Sequence, residues 1–233
     1  MDKHVNTLVL GAGYVGQYLV QCLDDAVGTR RNKKKAEVHF DLNLPDTWEN
    51  LPIADNVVIT FPCTDLEMLQ DFYDAYLCLV PNVIVYGSTS RYIIESEDQV
   101  VDEDTTFDNE IPRVQGEEFL FEEGANLLVL AGIFGYGRLP KHWLKKGLIK
   151  NGKKTLNLIH LEDIVAITKR LIETPQTELR LNLCNGEKLL WSEIAKIEGY
   201  DLPEAPLDKP NKSISNKKLT ELLPDLEFKN YSK

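Results

Sequence analysis

The sequence has no long apolar run and few cysteines. No apolar segment in its 233 residues approaches the ~20 residues needed to span a bilayer, and no basic, apolar leader opens the chain. The four cysteines, at positions 22, 63, 78 and 184, form no Cys-x-x-Cys pair. The apolar neighbours of most of them predict buried thiols rather than a disulfide framework or a metal site. We therefore expect a cytoplasmic protein without a metal.

Positive charge is also scarce. The chain has 37 acidic and 26 basic residues, a formal net charge of −11. Such a charge repels nucleic acids and anionic membranes, so neither is an expected partner. Three common catalytic motifs are missing as well: Gly-x-x-x-x-Gly-Lys-Ser/Thr, His-Glu-x-x-His and Gly-x-Ser-x-Gly. A small molecule is therefore the expected partner.

What the sequence does contain is an alternation of apolar and amphipathic segments over residues 1–135. This order is typical of a parallel sheet flanked by helices, and we predict an α/β, Rossmann-type doubly wound domain. A helix near 162–174 is predicted to return to this domain. Residues 136–161 and 175–233 would then form a small C-terminal lobe. The six predicted strands of the sheet are 7–10, 26–29, 37–40, 56–61, 82–86 and 126–131.

The most informative motif is GAGYVG, residues 11–16, which follows the first predicted strand and opens a helix. Gly11 allows a tight turn, Gly13 lets the backbone approach a pyrophosphate, and Gly16 permits close packing of the helix on the strand. The helix start adds backbone N–H groups and the positive end of a dipole. The alternative is a glycine-rich turn without a ligand. The predicted dinucleotide-binding residues of this motif are Gly11, Gly13, Tyr14, Val15 and Gly16.

The second predicted strand ends in the basic segment GTRRNKKK. NAD-binding proteins usually have an acidic residue there, which holds the ribose 2′-hydroxyl. Arg30 and Arg31 occupy that place, and a guanidinium matches a 2′-phosphate in charge and in planar geometry. NADP is therefore favoured over NAD, the alternative being a solvated basic turn. Asp41, after the third strand, either contacts the adenine or only starts a loop.

These motifs, together with VIVYGSTSRY, LAGIFGYGR and IHLEDIV, resemble the extended and atypical short-chain dehydrogenase/reductase families, including nucleoside-diphosphate-sugar epimerase-like proteins. The resemblance runs to about residue 222. It implies an NAD(P)-dependent oxidoreductase or epimerase-like enzyme. It also implies a catalytic Ser or Thr after the fifth strand, matched here by Ser88 and Thr89, and Ser88 counts among the cofactor-binding residues too.

The sequence departs from these families at the proton donor, a tyrosine followed four residues later by a lysine. Aligning RVQGEEFL with the family pattern places Asn109 at the tyrosine and Arg113 at the lysine. None of the nine tyrosines is followed at the fourth position by lysine. The family pairing matters because a nearby cation brings the phenol toward a working pKa. Arg113 stays a candidate for holding the nicotinamide ribose or a phosphate.

An enzyme without the dyad needs another group to carry the proton. Tyr92 and Tyr136 are candidates because they follow the fifth and sixth strands, whose carboxyl ends face the ligand in such sheets. Tyr136 is the preferred one. We interpret His160 as orienting a hydrogen bond where the chain returns to the main domain. The alternative function is a catalytically silent NADP(H)-binding sensor.

Overall fold

The computed structural model describes residues 4–35 and 38–231. The α-helices in these ranges are α1 (Tyr14–Cys22), α2 (Leu66–Ala75), α3 (Pro112–Glu122), α4 (Pro140–Lys145), α5 (Leu161–Glu173), α6 (Trp191–Ile197) and α7 (Lys217–Leu222). The strands are β1 (His4–Leu10), β2 (Ala26–Arg30), β3 (Val38–His39), β4 (Ile53–Ile59), β5 (Asn82–Ser88), β6 (Gln99–Val101), β7 (Asn126–Leu130), β8 (Gly132–Phe134), β9 (Thr155–Leu156), β10 (Leu158–His160), β11 (Arg180–Leu183), β12 (Leu189–Leu190) and β13 (Lys212–Ile214). In the described ranges, no helix is long and apolar enough to cross a membrane.

Seven strands form one parallel sheet, in the order β11-β7-β5-β4-β1-β2-β3. The order reverses direction at β1, which pairs with β2 on one side and with β4 on the other. Parallel strands need crossover connections, and α1 and α2 supply two of them. The prediction of a Rossmann-type α/β fold is confirmed, and the reversal at β1 creates the crevice where such sheets bind ligands.

The sheet has one strand more than the sequence predicts. All six predicted strands are present, although Glu37 of the third lies outside the described residues. The seventh, β11, comes from the segment RLNLCNG and lies at the edge beside β7. Local alternation indicates a strand in this segment. Its place in the sheet depends on pairing with residues about fifty positions away, which no local pattern specifies.

The chain folds into two compact units. The first contains the residues up to Gly87, Asp108–Leu128 and Val165–Arg180. The second contains Ser88–Phe107, Val129–Ile164 and the residues from Leu181 on. The domain boundaries expected from the sequence stay a prediction.

A row of buried asparagines crosses the sheet in the first unit. Asn82 Nδ2 donates to Asn56 Oδ1 at 2.8 Å, and Asn126 Nδ2 donates to Asn82 Oδ1 at 3.2 Å. Asn56 Nδ2 reaches the Asn6 carbonyl oxygen at 3.0 Å. Buried amides are stable only when they are hydrogen-bonded, so this row links β1, β4, β5 and β7 in a single register.

The four cysteines divide into two kinds. Cys63 and Cys184 are buried, as the sequence predicts, whereas Cys22 and Cys78 are exposed. The prediction is therefore wrong for two of them. Cys22 falls on the apolar face of the predicted first helix with Val15 and Leu19, which are buried, but it lies at the last residue of α1 and stays exposed.

Candidate functional site

The glycine turn between β1 and α1 is tied to both neighbouring strands. Gly11 N donates to Thr29 Oγ1 at 3.1 Å, and Ala12 N donates to the Thr29 carbonyl oxygen at 2.7 Å. On the other side, Thr60 Oγ1 donates to the Gly11 carbonyl oxygen at 2.5 Å. The turn is therefore held in one conformation at the carboxyl ends of β1, β2 and β4.

Each of the three glycines in the turn has a different geometry. Gly11 has a φ of +94°, and a Cβ there would lie 3.0 Å from Thr60 Oγ1. A Cβ at Gly16 would lie 2.4 Å from the Gly11 carbonyl oxygen. A Cβ at Gly13 would lie 3.9 Å from that same oxygen, an ordinary contact. Gly11 and Gly16 are thus required because a side chain would clash or strain the backbone there, whereas a Cβ at Gly13 meets no close atom.

Helix α1 presents an uncapped N-terminus at this turn. It begins at Tyr14, and its N-cap residue, Gly13, has no side chain that could accept a hydrogen bond. The described residues place no acidic side chain in its first turn. Backbone N–H groups at such an end favour an anion, because the helix dipole adds to their hydrogen bonds. The turn therefore fits the pyrophosphate of a dinucleotide.

The basic segment begins at Arg30, the last residue of β2. Arg30 is half-buried and Arg31 is exposed. Their backbones are held by β3 and its surroundings: Phe40 N donates to the Arg30 carbonyl oxygen at 3.3 Å, and His39 Nε2 lies 3.0 Å from the Arg31 carbonyl oxygen. Among the ion pairs found for the described residues, neither guanidinium has a carboxylate partner. Two cationic side chains therefore lie at the tip of β2, on a backbone segment that hydrogen bonds hold in place.

Asp41 starts a loop, which is one of the two roles that the sequence leaves open. Its Oδ1 accepts a hydrogen bond from Asn43 N at 3.1 Å, and its carbonyl oxygen accepts one from Trp48 Nε1 at 3.2 Å. These bonds build the turn before the 3₁₀ helix Pro45–Asn50. An additional contact to adenine stays a prediction.

The serine turn follows β5, in the second unit. Ser88 caps the 3₁₀ helix Thr89–Arg91: its Oγ accepts from Ser90 N at 3.4 Å and lies 3.2 Å from Ser90 Oγ. Thr89 is buried, and its carbonyl oxygen accepts a hydrogen bond from Lys212 Nζ. Ser88 is half-buried, so of the two hydroxyl candidates it is the more accessible.

Arg113 lies in the first turn of helix α3. Asn109, which the sequence alignment places at the family tyrosine, comes just before this helix. Asn109 lies exposed in the turn before the helix. Arg113 Nη1 lies 3.9 Å from Glu117 Oε1, and the Glu117 side chain is only 2% exposed. Contact with a nicotinamide ribose or phosphate stays a prediction for Arg113.

Glu117 is a buried charge that the sequence analysis misses. A Cβ on Gly87 would lie 2.8 Å from Glu117 Oε2, so this carboxylate packs against the end of β5. Burial and, next, the charge of Glu117 raise the pKa of Cys63 to about 12. That thiol stays protonated and is no nucleophile. The spacing of Arg113 and Glu117, four residues apart on one helix, is the signal that indicates the carboxylate's position.

The two tyrosine candidates have opposite environments. Tyr92 is 6% exposed, and its hydroxyl donates to Asn182 Oδ1 at 2.6 Å. Its ring is packed and its hydroxyl is bound, which favours a packing role for Tyr92. Tyr136 is 57% exposed, and its hydroxyl donates to Glu162 Oε1. Lys229 Nζ binds the other oxygen of Glu162, and these bonds, that from Lys229 first, lower the Glu162 pKa.

His160 and Asp163 flank Glu162 at the start of α5. His160 Nδ1 accepts a hydrogen bond from Glu162 N at 3.2 Å, and burial lowers the His160 pKa, so the ring stays neutral. This contact agrees with the interpretation of His160 as a residue that orients a hydrogen bond. Asp163 is buried, and its Oδ2 accepts from Lys229 N at 3.0 Å. Burial raises the Asp163 pKa to about 6.

The strand order, the glycine turn after β1 and the serine turn after β5 define the class of this protein by its fold. It has the fold of the extended short-chain dehydrogenase/reductases and the NAD-dependent epimerases. The resemblance stated from the sequence is confirmed at that level.

Solved structures of this class superpose over nearly the whole chain. MoeE5, in complex with UDP-glucose and NAD, matches with a TM-score of 0.76 and 17% identity, over 97% of this chain and 94% of MoeE5. A short-chain dehydrogenase/reductase superfamily protein of Agrobacterium tumefaciens with bound NAD gives 0.74 and 15%, over 96% and 92%. UDP-N-acetylglucosamine 4-epimerase of Bacillus cereus gives 0.73 and 15%, over 97% and 94%. These likenesses show the fold.

Among curated proteins, the chain is similar to Protein YeeZ of Escherichia coli, in strain K12 and in O157:H7. The identity is 27% over 180 residues, which cover 68% of this chain. The match spans 65% of the length of YeeZ. No family model matches the sequence.

Proposed function

We propose that this protein binds a nicotinamide dinucleotide, with NADP(H) preferred over NAD(H), and acts as an oxidoreductase or epimerase-like enzyme on a small molecule. The observation that carries the proposal is the glycine turn, whose fixed backbone leads into an uncapped helix start. MoeE5 and the Agrobacterium tumefaciens protein, which share the fold, are described with NAD. The bound cofactor would supply or accept the hydride.

The preference for NADP(H) rests on Arg30 and Arg31. Arg30 is the last residue of β2 and Arg31 follows it, at the place where an acidic residue would favour NAD(H). A guanidinium pairs with a phosphate through two parallel hydrogen bonds, and charge-assisted bonds of this kind contribute about 1.5–3 kcal/mol. We therefore infer that the 2′-phosphate of NADP(H) is held at the tip of β2.

The proposal is tested by titrating NADPH and NADH into the wild-type protein and into an Arg30→Ala/Arg31→Ala variant. The variant should bind NADPH about 10- to 150-fold more weakly, the equivalent of the 1.5–3 kcal/mol above, and NADH as before. Lys34→Ala is the matched control, because Lys34 is an exposed cation of the same turn but lies further from the strand. A wild-type protein that prefers NADH contradicts the NADP(H) assignment, and one that binds neither contradicts the whole proposal.

For the reaction, we propose that Ser88 polarises the reacting oxygen of the substrate, with Thr89 as the second candidate. The half-buried Ser88 hydroxyl is adjacent to that of Ser90, so one hydroxyl can donate to the other while the second donates outward. Incubation with NADPH and a panel of aldehydes and ketones, followed at the nicotinamide absorbance, tests the activity. If Ser88→Ala oxidises NADPH at the same rate as the wild type does, Ser88 is not the residue that polarises the substrate oxygen.

A second candidate function is a sensor that binds NADP(H) without turnover. It is favoured by Asn109, an exposed turn residue where the family has its phenol, and by Arg113, which has a buried carboxylate for a partner. A sensor has to bind the oxidised and the reduced cofactor with different affinities, because only differential binding shifts a conformational equilibrium. Equal affinities in calorimetry, together with measurable turnover, would exclude it.

A further inference from the structure

Three titratable side chains are bonded in a row in the second unit. The Tyr136 hydroxyl donates to Glu162 Oε1, and Lys229 Nζ binds Glu162 Oε2. The Glu162 carboxylate thus binds the phenol with one of its oxygens and the ammonium group with the other. The Glu162 side chain is 36% exposed, so this carboxylate also has access to solvent. We call these residues the Tyr136–Glu162–Lys229 row.

Tyr136 is presented by a tight turn after β8. Gly135 N donates to the Arg138 carbonyl oxygen, and Arg138 N donates to the Gly135 carbonyl oxygen, both at 3.0 Å. Gly135 and Gly137 have φ values of +145° and +70°, a conformation that side-chain-bearing residues rarely adopt. The two glycines therefore place Tyr136 at the tip of the turn, with its ring exposed.

Glu162 and Lys229 are held by their backbones. Glu162 lies in the first turn of α5, where its N–H group is bound by His160. Lys229 N donates to the buried Asp163, and the Lys229 carbonyl oxygen accepts a hydrogen bond from Asn185 Nδ2 at 3.1 Å. Two buried polar residues thus fix the chain at Lys229. The ion pair joins two partly exposed side chains and contributes little to stability, but the held backbones keep the two side chains within reach of each other.

The row has the charges that a proton relay needs. The hydrogen bond from Lys229 lowers the Glu162 pKa, and that bond raises the Lys229 pKa, so both stay ionised over a wide pH range. A phenol bonded to such a carboxylate can take up a proton on its oxygen while it passes its own proton on. The cation compensates the carboxylate charge and keeps Glu162 aimed at Tyr136.

We propose that the Tyr136–Glu162–Lys229 row carries the proton of the reaction proposed above, with Tyr136 as the group that meets the substrate and Lys229 as a positioning residue. In the direction of alcohol oxidation, the substrate O–H proton moves to the Tyr136 oxygen as the phenolic proton moves to Glu162. The C–H bond breaks, its electron pair passes as a hydride to the oxidised nicotinamide, and the C=O bond forms. Glu162 then releases the proton to water.

This inference rests on the proposed function. It accounts for the missing Tyr-x-x-x-Lys pair, because a tyrosine and a lysine are coupled here through a carboxylate, from three segments that are far apart in sequence. The coupling requires Glu162 as the bridge. Its removal should therefore affect Tyr136 as strongly as the removal of Lys229.

The first experiment needs no substrate. The ionisation of Tyr136 is isolated as the difference between the tyrosinate absorbance titrations of the wild-type and Tyr136→Phe proteins. In Lys229→Met, this ionisation should move to higher pH by about one unit, because a cation is lost and an anion beside the phenol is left uncompensated. Lys229→Arg should restore it. Lys217→Met is the matched control, because Lys217 makes an exposed ion pair with Glu221 at 3.8 Å.

The second experiment uses NADPH and a carbonyl compound that the panel shows to be reduced. Tyr136→Phe should lower kcat by about 10²-fold or more, the scale of general acid–base catalysis. Lys229→Met should lower kcat with little change in KM and alter its pH profile, while Lys229→Arg rescues both. A merely structural role for Lys229 would lower stability without moving the pH profile.

The outcomes separate the relay from the function on which it rests. If the protein binds no NADPH, the proposed function fails. Turnover that is unchanged in Tyr136→Phe refutes the relay and leaves the proposed function standing. If the Tyr136 ionisation is the same in Lys229→Met as in the wild type, Lys229 makes a plain surface ion pair only, and the coupling is refuted.

Discussion

Replacing Gly13 by alanine tests whether the glycine turn holds the pyrophosphate of a dinucleotide. The variant should lose more affinity for NADPH than its effect on folding explains. Apart from the residues adjacent to Gly13 in the chain, the described atom nearest to the new Cβ is the Gly11 carbonyl oxygen, at 3.9 Å. Gly13 has a φ of −78°, which suits alanine, and a ψ of −146°, which lies outside the α and β ranges that alanine prefers. The methyl group meets no close atom, but alanine would be strained in this backbone conformation, so the free energy of unfolding should fall by about 1 kcal/mol.

The same methyl group should obstruct a bound dinucleotide. In the proposed function, the backbone at Gly13 approaches the pyrophosphate directly, and only a glycine allows that approach. Overpacking by one methyl group costs about 1–3 kcal/mol. A loss of that size corresponds to about a 5- to 150-fold increase in the Kd for NADPH.

Urea unfolding and a fluorescence titration with NADPH measure the two effects on the same sample. The matched variant is Gly16→Ala, in which the new Cβ would lie 2.4 Å from the Gly11 carbonyl oxygen. Gly16→Ala should lose about 1–3 kcal/mol of stability, whereas Gly13→Ala should lose about 1 kcal/mol of stability together with the drop in affinity for NADPH. The reasoning is refuted if Gly13→Ala binds NADPH as tightly as the wild type does.

The remaining predictions concern stability. Asn82→Leu should destabilise the protein by about 2–4 kcal/mol in urea unfolding, because it leaves the buried amides of Asn56 and Asn126 each short of a partner; an unchanged midpoint would contradict the asparagine row. The pKa of Asp163 is raised to about 6 in the folded protein, above its unfolded value. Ionisation of Asp163 therefore lowers the free energy of unfolding, and this loss grows as the pH rises from about 4 to about 6. Asp163→Asn, which keeps an acceptor for Lys229 N, should therefore gain up to about 3 kcal/mol over the wild type at pH 7 and little at pH 4. A gain that is the same at both pH values would exclude this explanation.

Local patterns predict most of the sheet. The strands up to residue 131 are short apolar runs with turns at both ends, and strands buried on both faces have this composition wherever they occur. The glycine turn is also local, since its conformation depends on a few consecutive residues and on the helix that follows. For this reason GAGYVG and its flanking strand and helix can be placed from the sequence.

Environment is harder to predict than secondary structure. Cys78 lies between Leu77 and Leu79 but is exposed, because exposure depends on what packs against a position and not on its neighbours in sequence. Tyr92 and Tyr136 occupy similar positions after strands, yet one is buried against Asn182 and the other is exposed. Sequence position relative to a strand indicates the edge of the sheet but not the burial of a side chain.

The sequence by itself determined the class of fold, the glycine turn and the basic tip of β2, because each depends on contacts between residues close in the chain. The tertiary structure decided the rest: the place of β11 at the sheet edge, the buried asparagine row, and the meeting of Tyr136 with Glu162 and Lys229. Those contacts join residues about 25 to 70 positions apart, and they form only when the whole chain has closed around its core. No periodicity or spacing in the sequence encodes such distances.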